Sequence, residues 1–95
     1  MAQFMLLHHG FEMPTEEIMQ AWNDWFAEIA DKTIDKGAHF PHGKEINKSG
    51  TEEMPFGPDS LTGYTIIEAA DWAEAEAIAS RNPFIKSIKI YEMRR

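Results

Sequence analysis

Four histidines are the residues to question first, because imidazole is the side chain that exchanges a proton near neutral pH and also ligates metals. They fall in two groups, His8-His9 and the pair His39 and His42. Neighbours on a strand point to opposite faces, and so do residues three apart, so neither group chelates a metal on regular backbone. Pro41 and Gly43 would allow irregular backbone at the second group, yet satisfied surface or cavity histidines are the plainer reading, and no metal or other cofactor is expected. His39 and His42 are candidate acid-base groups, and His8 is a candidate for ligand contact or proton transfer. Glu68 is a further candidate: on the two-residue period it shares a face with Tyr64 and Ile66, where a carboxylate could act as a base or hold a cationic or hydroxyl group. The plainer alternative is a solvated strand-end glutamate, or one paired with Lys89. Tyr64 and Tyr91 could donate hydrogen bonds to a ligand. Trp22 and Trp25 could wall it, although aromatics at helical spacing more often form core.

These side chains depend on the elements that carry them. Phe4 to His9 is a short apolar run closed by Gly10, which reads as a buried strand. Thr15 follows Pro14 as a cap, and Glu16 and Glu17 suit the positive end of a helix. Ile18, Trp22, Trp25 and Ile29 form its apolar stripe, widened by Met19, Phe26 and Ala30. With Lys32 and Lys36 in the last turn and Gly37 as a left-handed stop, the helix is expected over residues 16–36. Ala38 to Ile46 reads as an edge strand with a bulge, since Phe40 favours a strand and Pro41 cannot donate to a ladder. Asn47 to Thr62, with Ser49-Gly50, Pro55, Gly57 and Pro58, reads as a polar connection long enough to act as a flap.

Tyr64 to Glu68 is β-branched or aromatic at four of five positions, the composition of a strand. Asp71 then caps a second helix with Glu74 three residues on, and the alanines propagate it. Ala75, Ile78 and Ala79 make a thin stripe that can lie close to a sheet. Asn82 precedes Pro83, whose ring ends the helix, and Ile85 to Met93 supplies the last strand. The order β-α-β-β-α-β predicts a ferredoxin-like α+β sandwich, a four-stranded antiparallel sheet with two helices on one face, in one domain over residues 1–95.

Composition bounds the partners. The 95 residues are 43% hydrophobic and 26% charged, the profile of a folded chain near the lower end of self-sufficient size. Nine Lys and Arg against sixteen Asp and Glu leave a net charge of −7, which repels nucleic acid and anionic lipid. No cysteine is present, so disulfides, thiolate catalysis and thiolate metal sites are excluded. The start, MAQFMLLHHGF, has a short apolar core and no basic segment, so it reads as neither secretory signal nor membrane span, and a cytoplasmic location is expected.

A sheet with one face wet should alternate apolar and polar residues. Here both faces are apolar: Phe4 and Leu6 oppose Met5 and Leu7, and Tyr64 and Ile66 oppose Thr65 and Ile67. A homodimer that buries the open face sheet against sheet is therefore expected, the alternative being a flap folded over it.

The unit Gly63-Tyr64-Thr65-Ile66-Ile67-Glu68-Ala69, then Asp71, Ala73-Glu74-Ala75, Asn82-Pro83-Phe84 and Ile90-Tyr91-Glu92, resembles the YCII-related family, also described with the DGPF-type proteins. The N-terminal FMLLHHG, Gly37 and Gly43 extend the likeness over nearly the whole chain. It implies a dimeric α+β barrel. Members often carry a histidine near the middle of helix one, suspected of acid-base work with a carboxylate, where this chain has Trp22-Asn23-Asp24-Trp25-Phe26. Of the DGPF signature only Pro55-Phe56 remains. The expected activity is binding of a small organic metabolite in a cavity between sheet, helix one and flap, at the open face of the sheet, with acid-base chemistry by Glu68 or a histidine as the enzymatic version. The alternative is a binding or assembly module without turnover.

Overall fold

The computed structural model describes residues 1–94. Strand β1 runs Ala2–His9 and alternates as its sequence requires: Phe4, Leu6 and His8 are buried on one face, Met5, Leu7 and His9 half-buried on the other. Helix α1 spans Glu16–Glu28 and starts as expected, the Thr15 hydroxyl accepting the Ile18 N–H at 3.1 Å.

It stops at Glu28, not at residue 36. A single 3₁₀ turn, Ala30–Lys32, follows, and Thr33–Asp35 forms strand β2. Thr33 and Ile34 are β-branched and lose rotamer freedom in a helix, the Thr33 hydroxyl caps the Ile29 carbonyl at 2.9 Å, and pairing with a central strand outweighs the lysines' preference for a helix end. Gly37 does take positive φ, +90°, but it closes a strand.

The segment 38–46 is likewise not the edge strand of the main sheet. β2 occupies that edge, and among the described residues a lone bridge, His39 to Gly63, joins the segment to the sheet. Strand β3, Gly43–Asn47, begins in that segment and pairs instead with β4, Gly50–Met54, which lies in what reads as irregular connection, as a separate hairpin. Lys48 and Ser49 make its two-residue turn, with Asn47 Oδ1 accepting the Ser49 N–H at 2.8 Å and Gly50 at φ +126°. Polar alternation hid this hairpin, because both its faces meet water: every residue but Gly43 is exposed.

Strand β5, Leu61–Ala69, crosses the centre of the sheet, and helix α2, Trp72–Ser80, follows it. Asp71 Oδ1 accepts the Glu74 N–H and Glu74 Oε1 accepts the Ala70 N–H, each at 2.9 Å, so two free donors are satisfied reciprocally. Strand β6 is Ser87–Met93. The sheet order is β2-β5-β1-β6, antiparallel throughout, which is the ferredoxin-like arrangement. Both helices pack on one face, where Phe4, Leu6, Trp25, Ile29, Ile67, Ala69, Ala75, Ile78 and Ala79 form the core.

On the opposite face the register sets Met5 between Ile66 and Tyr91, and Leu7 between Tyr64 and Lys89. Ile66 is buried and Met5 and Leu7 are half-buried, while Tyr91 is 57% exposed. Among the described residues the hairpin strands pair with each other, and Phe40, just before them, stacks on Tyr64 of this face at 5.9 Å. Among the described residues no helix is long and apolar enough to cross a membrane.

Candidate functional site

The end of β1 meets β5 with His8 opposite Gly63. Gly63 is needed there because a Cβ would lie 2.7 Å from the Ala38 carbonyl oxygen, whose chain runs along this edge and accepts the Tyr64 N–H at 3.3 Å. Gly37 turns that chain after β2, and α1 brings Trp22 and Phe26 over it from the helix side. The result is an open cavity of about 340 Å³ bounded by His8, Trp22, Phe26, Gly37, His39 and Thr65, with Lys36 and Tyr64 also on its wall. It lies on the helix side of the sheet.

His8 is the buried titratable group of this cavity, 6% exposed. Its Nε2 is 2.9 Å from Thr65 Oγ1, and Thr65 Oγ1 is 3.2 Å from the Lys36 carbonyl oxygen. A carbonyl only accepts, so the single hydroxyl proton goes to Lys36, and His8 Nε2–H must donate to Thr65. This assignment leaves Nδ1 with a free lone pair, and Nδ1 is buried with no partner. Burial lowers the imidazole pKa from 6.5 to about 4, so at neutral pH His8 is an uncharged hydrogen-bond acceptor. Trp22 stands edge-on to it with ring centroids 4.8 Å apart, and the Lys36 ammonium lies 5.0 Å over the Phe26 ring.

A second cavity, about 660 Å³, opens beneath the hairpin between Phe40, His42, Met54, Phe56, Asp59 and Leu61. The loop 57–60 that closes it is tied to the end of β1. Gly10 N–H donates to Ser60 O at 2.8 Å, Phe11 N–H to Pro58 O at 3.1 Å, and the Phe11 and Phe56 rings meet at 4.5 Å. Lys86 pairs with Asp59, and the hydrogen bond and charge of that ammonium hold the carboxyl below its ordinary pKa. His9 donates from Nε2 to the Asp59 carbonyl at 2.7 Å and accepts the Ser87 hydroxyl at Nδ1, 3.1 Å away.

The structure thus gathers His8, Trp22 and His39 at the first cavity, which Tyr64 borders while its ring stands with Leu7 on the open face, and puts His42 at the second. Tyr64 donates its hydroxyl to Asp35 Oδ2 at 3.0 Å, a hydrogen bond and charge that raise its pKa, and its ring stacks on Phe40 with centroids 5.9 Å apart. Trp25 is core: it is 2% exposed and its indole N–H donates to the Ile78 carbonyl at 3.0 Å. Glu68 and Tyr91 lie on the other face of the sheet, Glu68 opposite Gln3 and Tyr91 opposite Met5, and they meet neither cavity. Among the described residues no three His, Asp or Glu side chains come together as a metal site.

Thr65, Lys36 and Asp59 escape a reading of the sequence. Thr65 did carry a signal, as a hydroxyl on the helix-facing side of a central strand that must find a partner. The others contribute through backbone paths that only the fold reveals.

A family model described as the YCII-related domain matches residues 3–95. No curated protein matches the chain.

Proposed function

This chain belongs to the YCII-related family, and we propose that it binds a small organic metabolite in the cavity at the end of β1, with His8 as the acceptor that orients the ligand. The observation that carries this reading is the buried His8 Nδ1 without a partner, since an orphaned buried acceptor costs stability that a ligand donor would restore. The aromatic walls from Trp22 and Phe26 supply apolar contact around it.

Binding without turnover is the version that the candidate acid-base groups favour. A base as weak as His8 abstracts protons poorly at neutral pH, Glu68 and His42 lie away from it, and His39, which shares the cavity, is the group that an enzymatic version would use. In the same reading the protein is a cytoplasmic homodimer of the α+β barrel type, its partner covering the face of Met5, Leu7, Ile66 and Tyr91.

The test is amide correlation spectroscopy against a panel of small polar metabolites. Hits should perturb Trp22, Gly37, Gly63 and Thr65 together and should be lost in His8→Phe. Hits that cluster around Glu68 and Tyr91 would refute the site. Turnover of any hit with a pH dependence would replace the binder by an enzyme.

A further inference from the structure

The two cavities share a wall. His39 lines the smaller one and its ring lies 5.8 Å from Phe56 of the larger. Phe40 lines the larger, but its ring stacks at 5.9 Å on that of Tyr64, whose side chain stands with Leu7 on the open face of the sheet, so His39 is the residue through which the cavities adjoin. The chemistry of the two differs. The smaller is lined by His8, whose buried Nδ1 is an acceptor without a partner while Thr65 fixes its Nε2, and by Lys36, whose ammonium lies over the Phe26 ring on the same wall. The larger offers Phe40, Met54, Pro55, Phe56 and Leu61, an apolar chamber with more than enough room for an aromatic ring.

We infer that the two cavities are the two ends of one site, and that its ligand class is an acidic hydroxyl compound, a phenol or enol, joined to an apolar body of aromatic size. The head group follows from the partners. An acceptor with a free lone pair requires a donor, which excludes a carboxylate, and a nearby ammonium disfavours a cationic donor. A hydroxyl acidic enough to gain from Lys36 satisfies both. The body follows from the direction in which the site continues, past His39 to Phe56 and into the chamber under the hairpin. This inference rests on the reading of the His8 cavity as a binding site and adds the substrate class and the second half of the site.

Three compounds on the wild-type protein decide it: phenol, 4-phenylphenol and 4-methoxybiphenyl, followed by calorimetry and by the fluorescence of Trp22, whose ring abuts His8. The expected order is 4-phenylphenol about tenfold or more tighter than phenol, from the added apolar burial. 4-Methoxybiphenyl should bind about tenfold weaker than 4-phenylphenol, because it leaves Nδ1 unpaired. Met54→Trp, a change at a half-exposed position that fills the chamber, should bring 4-phenylphenol down to the affinity of phenol and leave phenol unchanged. Equal affinities for phenol and 4-phenylphenol, both weakened by His8→Phe, would overturn the joined site while the His8 site stands. A methoxy compound as tight as the phenol would overturn the hydroxyl class. No binding by any of the three would overturn the phenol class and leave the His8 site to the metabolite panel, whereas binding that His8→Phe leaves intact would overturn both this inference and the reading beneath it.

Discussion

At the scale of single residues, what decides the chemistry is burial, and burial is what the sequence conceals. His8 and His9 are adjacent and chemically identical, yet one is an uncharged group in the core and the other ties a surface loop. The two-residue period of a strand forecast that they face opposite ways. It did not forecast that the Lys36 carbonyl would approach Thr65 and so fix the tautomer of His8. A pH dependence follows. An unfolded histidine takes up a proton as pH falls below 6.5, while folded His8 resists until about 4, so proton uptake favours the unfolded chain across that window. The contribution is complete above pH 6.5 and is lost toward pH 4, by up to about 1.4 kcal/mol per pH unit. Urea unfolding at pH 7 and pH 4.5 measures it, and His8→Phe should flatten that slope. An unchanged slope in the variant would mean that His8 titrates normally.

At the scale of elements, local signals were legible where the chain itself satisfies them. The Thr15 and Asp71 caps, the strand faces of Phe4 to Leu7 and the stop before Pro83 all rest on neighbours within a few residues, and all lie where the sequence sets them. The end of α1 was not legible, because the pairing of Thr33 with Ile67 is a long-range contact that overrides the local preference of two lysines. The hairpin was hidden for the opposite reason: a strand pair with no buried face carries no hydrophobic alternation. Gly37 is the element-scale hinge of the site. Its φ of +90° is strained for any side chain, and a Cβ there would overlap the Tyr64 carbonyl oxygen. Gly37→Ala should therefore cost about 3 kcal/mol and deform the cavity wall. Thermal unfolding checks the first effect. A variant as stable as the parent would show that the strand edge relaxes freely.

At the scale of the whole molecule, the open face of the sheet is the feature that a single chain leaves unfinished. Met5, Leu7, Ile66 and Tyr91 sit on the face opposite both helices, in a chain whose size gives it a modest core. The ferredoxin-like order and the family were both readable from the sequence, since they depend on element order and on motifs spread over the chain. The side of the sheet was less legible: helix one does wall the cavity that gathers His8, Trp22 and His39, as expected, but apolar strand faces pointed to the open side and this cavity lies on the helix side. For the assembly, sedimentation should give a mass of two chains, and Tyr91→Glu, a change at an exposed position, should reduce it to one. A one-chain mass for the wild type would remove the argument from the open face and leave the His8 cavity untouched.

Nitrogen-15 spectroscopy of the His8 imidazole during titration with phenol at pH 7 reads the state of Nδ1 on which ligand binding here depends. The free protein should show a neutral Nε2–H tautomer, and phenol should change Nδ1 alone as its hydroxyl engages it. An imidazolium at pH 7, an Nδ1–H tautomer, or a ring that does not respond while phenol binds would contradict a neutral, unpaired Nδ1 that receives the ligand.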